Sequence, residues 1–186
     1  MNFEELISQA DYTLGHEDQP FQANQAGVAL IRNLLPLAER ARAAMDRAYA
    51  GCCLLGALLE FPWIREVRLV VAGDLAIDDN GRAYTYAEVE AKDLVLDLEA
   101  LGLLDAGADR SQEVLLEQIE DWLDDFSWEI YEGFGGDEHE LADVVIRLQR
   151  SLLSELPVEQ ARSGGRLAAL LDERGLISIG GDPVAM

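Results

Sequence analysis

The sequence predicts an α+β fold with an N-terminal helical hairpin, a small antiparallel sheet of about three strands and acidic helices in the C-terminal half. Apolar residues recur at helical spacing in residues 25–60 and 112–126. Residues 67–86 are rich in strand-forming residues and contain the dipeptide Asn80-Gly81, a strong signal for a hairpin turn. Apolar residues make up 49% of the 186 residues, which is enough to build a folded core.

The N-terminal third is predicted to be mainly helical. A short first helix is followed by a polar stretch, residues 11–24, which is predicted to be a loop. A second helix is predicted for residues 25–35. Pro36 suits the first position of a helix, so a third helix is predicted from Pro36 to about Glu60.

Segment 37–60 is rich in small residues, including Gly51 and Gly56. Small side chains allow another helix to approach closely, whether from the same chain or from a second protomer. Packing within the core is the simpler interpretation. A homodimer formed through this segment is the alternative prediction.

The sheet is predicted from β-branched residues and turn signals. After it, residues 87–104 return to helical spacing and are predicted to form a helix. Two predictions stay open for residues 137–156, because helical spacing favours a helix while alternation across 142–148 favours a strand. Strands are predicted at 67–71, 75–77 and 83–86.

The domain prediction is a single acidic α+β domain over residues 1–162, followed by a short C-terminal helix and tail, 163–186. Ser163-Gly164-Gly165 is interpreted as a hinge, and the helix after it is predicted to end at Gly175. The last ten residues are predicted to be a loose tail.

The net charge of −22 is concentrated in one part of the chain. Residues 83–146 hold nineteen acids and two bases, whereas residues 147–186 are neutral. Such a field excludes unaided binding to nucleic acid or to an anionic membrane and favours basic partners. Adaptation to high salt is a weaker explanation, because a halophilic protein is expected to be acidic throughout.

The most acidic stretch, residues 111–146, is predicted to present a carboxylate face. In helix 112–126, Leu115, Ile119, Trp122 and Phe126 share one side and the acids share the other. Exposed helix faces usually mix charge signs, because like charges four residues apart are destabilising. The stretch has no Lys or Arg, which favours a face that binds a basic partner. The candidate contacts are Glu113, Glu117, Glu120, Asp121, Asp124, Asp125, Glu129 and Glu132, with Trp128 and Tyr131 as aromatic anchors.

The leading functional hypothesis is a non-enzymatic acidic protein that inhibits a nucleic-acid-handling protein by imitating the phosphates of DNA. This class includes anti-CRISPR, anti-restriction and nuclease-immunity proteins. A homo-oligomeric adaptor or structural protein without a nucleic-acid link is the alternative. No cofactor and no metal site are predicted.

An enzyme is the least favoured hypothesis. The best candidate is a divalent-metal site around His139, since a helix would place His139 and Asp143 on one face. Cys52 and Cys53 are adjacent in an apolar run, which favours reduced thiols rather than a disulfide. With no signal peptide or membrane span predicted, a cytoplasmic location is expected.

Overall fold

The computed structural model describes residues 9, 12–14, 21–103, 110–136 and 139–180. It combines helices with one main antiparallel sheet, which confirms the predicted α+β class. The chain divides into two compact units, Met1–Ala44 and Met45–Met186. The short helix predicted at the N-terminus lies outside the described residues, apart from residue 9.

The first unit contains a small two-stranded sheet. Strand β1, Tyr12–Leu14, pairs antiparallel with β2, Phe21–Ala23, so that Tyr12 lies opposite Ala23. These strands occupy part of the segment predicted as a polar loop, and that prediction is wrong for residues 12–14 and 21–23. The Tyr-Thr-Leu and Phe-Gln-Ala triplets contain aromatic and β-branched residues, which favour pairing.

Helix α1 runs without a break from Gln25 to Glu60. Its first turn is capped by Asn24, whose side-chain oxygen accepts a hydrogen bond from the backbone N–H of Gly27 at 2.7 Å. Pro36 lies inside the helix, so the predicted break and the two separate helices of the hairpin are absent. A proline costs about 3 kcal/mol inside a helix, and the leucine- and alanine-rich turns on both sides continue the helix past it.

The second unit is built on a sheet of four antiparallel strands. Strands β3, Ile64–Ile77, and β4, Ala83–Leu96, form a long hairpin. Strands β5, Val144–Gln149, and β6, Ile177–Ile179, extend the sheet in the order β4-β3-β5-β6. The turn predicted at Asn80-Gly81 is confirmed, and Gly81 has the positive φ of 77° that favours glycine.

The predicted helix 87–104 is wrong, because residues 87–96 belong to β4. Ala87, Val89 and Ala91 are buried while Glu88 and Glu90 are exposed, which is the two-residue period of a strand. The leucine spacing that favoured a helix produces only the short helix α2, Leu98–Gly102.

The open choice for residues 137–156 is decided in favour of a strand at 144–149. Val144, Val145 and Ile146 are all buried, as in a strand covered on both faces. A helix forms only at Leu152–Glu155, α5. Strand β6 likewise occupies part of the segment predicted as a loose tail, because it pairs with β5.

Three further helices close the core: α3, Gln112–Asp124; α4, Ser127–Gly133; and α6, Gly164–Glu173. A 3-10 turn, Val158–Gln160, precedes α6. Leu167 and Leu171 of α6 are fully buried in the same core as Leu54 and Leu58 of α1. The proposed hinge is instead the start of α6, where the Ser163 hydroxyl accepts a hydrogen bond from the backbone N–H of Arg166.

The small residues of segment 37–60 are used inside the chain. A side chain at Gly51 would overlap the backbone of Gly164, and one at Gly56 would lie 2.6 Å from the Trp122 ring. The core-packing interpretation therefore applies to both glycines, and they are not available for a second protomer.

The two cysteines are expected to differ sharply in reactivity. Cys52 is exposed and Cys53 is buried. Burial, assisted by the charge of Glu129, raises the pKa of Cys53 from 9.0 to about 11. At pH 8 one thiol of the native protein should react rapidly with a disulfide reagent, and the second only after unfolding. Cys52→Ala should remove the fast reaction; two fast thiols in the native protein would contradict the burial of Cys53.

The Cys53 pKa also predicts the direction of a pH effect on stability. Because the folded protein holds the neutral thiol, its contribution to stability is complete below about pH 9. It is lost as the pH rises towards 11, since the unfolded chain then ionises first.

Candidate protein-binding face

Helix α3 positions the acidic stretch by burying its apolar side. Leu115, Ile119 and Leu123 are at most 1% exposed and recur every four residues. Trp122 and Phe126 are only half-buried and pack at the margin of the core. Leu123 was not among the apolar residues predicted from the sequence, but it completes the buried stripe by which α3 packs on the core.

The opposite side of α3 and the exposed side of α4 carry the acids. We call this surface the acidic face. Each of its carboxylates is exposed, and within the described residues none forms an ion pair with Lys or Arg. The acidic face consists of Glu113, Glu117, Asp121, Asp124, Asp125 and Glu129.

Elsewhere in the second unit, bases lie beside acids. Arg166 and Glu173 are 2.9 Å apart, and Lys92 lies 2.7 Å from Glu90. Arg147 lies 3.7 Å from Glu66 across neighbouring strands. The acidic face thus differs from these three places, because none of its six carboxylates is paired with a base among the described residues.

Glu120 does not belong to the acidic face, although the sequence placed it there. Its carboxylate accepts a hydrogen bond from the backbone N–H of Ala91 at 2.8 Å and is only partly exposed. Ala91 lies on β4, an edge strand whose outward N–H groups need partners. Glu120 therefore joins α3 to the edge of the sheet. Its partner lies 29 residues away in the chain, so the helical period of α3 does not reveal this contact.

The two predicted aromatic anchors are placed differently. Tyr131 is 0% exposed, and its ring fills the space that side chains at Gly73 and Gly136 would occupy, at 2.7 and 2.5 Å. Tyr131 is therefore a core residue, and its prediction as a partner contact is wrong. Trp128 is half-buried, with its ring centre 5.5 Å from that of Tyr131. Glu132 is exposed on the same helix.

The geometry predicted for a metal site at His139 is absent. Residues 139–140 form a turn and residues 141–143 have no regular secondary structure, so no helix is present, and Leu141 has a positive φ of 49°. His139 and Asp143 thus lack the helical spacing that would align them. In the parts of the chain that the structure describes, no three His, Cys, Asp or Glu side chains are grouped to hold a metal ion.

Comparison of the chain with protein-family models, with characterised proteins and with solved structures gives no significant match. Across the described residues, no helix combines the length and the apolar character needed to cross a membrane. The fold and the site define an α+β protein with an exposed, uncompensated carboxylate face.

Proposed function

We propose that this protein is a non-enzymatic, cytoplasmic inhibitor that binds the basic nucleic-acid site of another protein. Its targets would be nucleases or related enzymes, as for anti-CRISPR, anti-restriction or nuclease-immunity proteins. The carboxylates of the acidic face take the places of phosphates, and the partner's Lys and Arg side chains bind them.

The uncompensated charge of the acidic face carries this proposal. Four of its carboxylates lie on α3 and Asp125 directly follows the helix, so these five span residues 113–125, about 18 Å at 1.5 Å per residue. This gives about one charge per 4 Å, close to the axial spacing of about 3.4 Å between phosphates of one DNA strand. Repulsion between these carboxylates makes the helix less stable than one with mixed charges. Binding to a basic partner would explain why the helix carries acids alone.

Four charge-neutralising substitutions test the proposal. The variant combines Glu113→Gln, Glu117→Gln, Asp121→Asn and Asp124→Asn. The probes are a guide-loaded Cas9, a type II restriction endonuclease and a non-specific DNA endonuclease, each measured by biolayer interferometry along a salt series. For a probe that the unmodified protein binds, affinity at low salt should fall about hundredfold in the variant, and the salt dependence should flatten.

A control variant carries the same change of net charge elsewhere: Glu39→Gln, Glu88→Gln, Glu99→Gln and Glu159→Gln. These four acids are exposed and lie outside the acidic face. Its affinity should stay within about threefold of the unmodified protein, because only the long-range field changes. Equal losses in both variants would show that net charge rather than the acidic face determines binding. The first variant should keep or slightly raise its melting temperature, since repulsion is relieved.

Homo-oligomerisation is the second candidate, and exposed apolar residues on α1 favour it. Met45 is 70% exposed and Tyr49 is 50% exposed, both within the segment that the sequence linked to a dimer. Sedimentation velocity of the free protein separates the two candidate functions. Homo-oligomerisation requires a dimer whose fraction rises with protein concentration, whereas the inhibitor does not.

A further inference from the structure

We infer that the tip of the β3–β4 hairpin is a second contact surface, which supplies apolar anchors to the basic partner bound by the acidic face. Leu75 is 55% exposed and Ile77 is 72% exposed on this tip. Together with Ala83, which lies opposite Ile77 in the register, they form a surface that we call the hairpin shelf. This inference rests on the function proposed above.

The hairpin shelf continues the face of the sheet on which α4 packs. Gly73, Leu75 and Ile77 point to the same side, because side chains alternate along a strand. Gly73 lies under the Tyr131 ring of α4. Beyond α4 the same face carries Leu75 and Ile77, about 7 and 13 Å further along at 3.3 Å per residue, without a covering element among the described residues.

The acidic face extends towards the hairpin shelf. Helix α3 is joined to β4 at Ala91, whereas α4 lies over Gly73, nearer the hairpin tip. Along the hairpin the order is therefore α3, then α4 with Glu129, then the hairpin shelf. A partner bound to the acidic face as far as Glu129 on α4 would have the hairpin shelf next along the sheet.

Side-chain hydrogen bonds brace the turn of the hairpin. One side-chain oxygen of Asp78 accepts hydrogen bonds from the backbone N–H groups of Asn80 and Arg82, both at 2.8 Å. On the face opposite the hairpin shelf, the Tyr86 hydroxyl donates a hydrogen bond to Asp74 at 3.3 Å. A preorganised loop loses little conformational entropy on binding, so its exposed apolar side chains act effectively as anchors.

Charge at the tip selects the same partner as the acidic face. The tip carries Asp74, Asp78 and Asp79 against the single base Arg82. The negative charge of Asp74 also raises the pKa of the Tyr86 phenol. Exposed apolar side chains beside this excess of acids fit a cationic groove with an apolar pocket, as interface hot spots are apolar centres within a polar rim.

The test removes the anchors without changing charge. The double variant Leu75→Ala with Ile77→Ala is measured against the nucleases used above, with Tyr84→Ala as the control. Tyr84 is 52% exposed but lies on the opposite face, across from Ala76. We expect the double variant to dissociate at least tenfold faster with an unchanged salt dependence, and Tyr84→Ala to stay within twofold.

The outcomes separate this inference from the proposed function. If neutralising the acidic face abolishes binding while the double variant binds like the unmodified protein, the hairpin shelf is not a contact and only this inference fails. If no nuclease of the panel binds the unmodified protein, the proposed function and this inference fail together. A dimer of the free protein that becomes monomeric in the double variant would assign the hairpin shelf to a second copy and overturn the inference. The single variant Ile77→Ser, at the most exposed position, repeats the measurement if the double variant unfolds.

Discussion

Gly164→Ala is expected to lower the free energy of unfolding by about 3 kcal/mol, because α6 meets α1 backbone to backbone at this residue. A β-carbon there would overlap the carbonyl oxygen of Ala48 and the backbone nitrogen of Cys52. Alanine is a better helix former than glycine by about 1 kcal/mol, so the overlap must exceed that gain. The overlapped atoms belong to the backbone of a long helix, which cannot move aside as a side chain can.

Gly165→Ala provides the matched control, since it makes the same chemical change one residue later in the same helix. A β-carbon at Gly165 would lie 3.4 Å from that of Ala48, which is ordinary contact. This variant should be neutral or slightly stabilising. Urea denaturation followed by circular dichroism measures both, and equal stability of the two variants would show that α6 does not contact α1 as described.

The location of Gly164 shows where sequence reasoning reached its limit. The sequence indicated the helix that ends at Gly175, because periodicity and glycine termination are local signals. It also indicated a hinge at Ser163-Gly164-Gly165, since consecutive glycines usually mark a loop. The need for glycine at position 164 follows from the close packing of α6 on α1. This packing brings together residues more than a hundred positions apart, which local sequence patterns do not reveal.

Residues 83–86 of β4 were predicted as a strand, but residues 87–96 were predicted as a helix, because two periods overlap in this part of the sequence. Leu94, Leu98 and Leu101 follow helical spacing, while Val89 and Ala91 alternate with acids. Which pattern prevails depends on pairing with β3, a neighbour that a short sequence window does not contain. The Asn80-Gly81 turn was predictable because its geometry is determined by the residues themselves.

In the candidate site, too, the features set by local sequence patterns were predicted and those set by distant contacts were not. The exposure of Glu113, Glu117, Asp121 and Asp124 follows from helical period alone, and the sequence predicted it correctly. Glu120 lies one helical turn before Asp124, yet it accepts a hydrogen bond from Ala91, in the part of β4 that the sequence predicted to be a helix. The hairpin shelf was missed because the same residues were taken as ordinary strand positions.

Arg150 joins three elements of the second unit through carbonyl oxygens. Its guanidinium donates hydrogen bonds to Leu58 at the end of α1, to Phe61 at 2.9 Å and to Ile64 at the start of β3, also at 2.9 Å. The guanidinium thus donates to carbonyl groups that have no partner within α1 at its C-terminal end. Its positive charge also interacts favourably with the negative end of the helix dipole. Burial lowers the pKa of Arg150, but arginine stays charged at every ordinary pH.

Arg150→Ala is expected to lower the free energy of unfolding by about 2–4 kcal/mol, because three partly buried carbonyl groups lose a charged donor together. Arg174→Ala is the comparison: its guanidinium lies 2.5 Å from Glu155, but both groups are exposed to solvent, and such pairs contribute about 1 kcal/mol or less. Arg150→Lys should be intermediate, since lysine keeps the charge but cannot reach three carbonyls with one planar fork. Urea denaturation measures all three variants, and a loss for Arg150→Ala no greater than that for Arg174→Ala would show that these carbonyls are satisfied without the guanidinium.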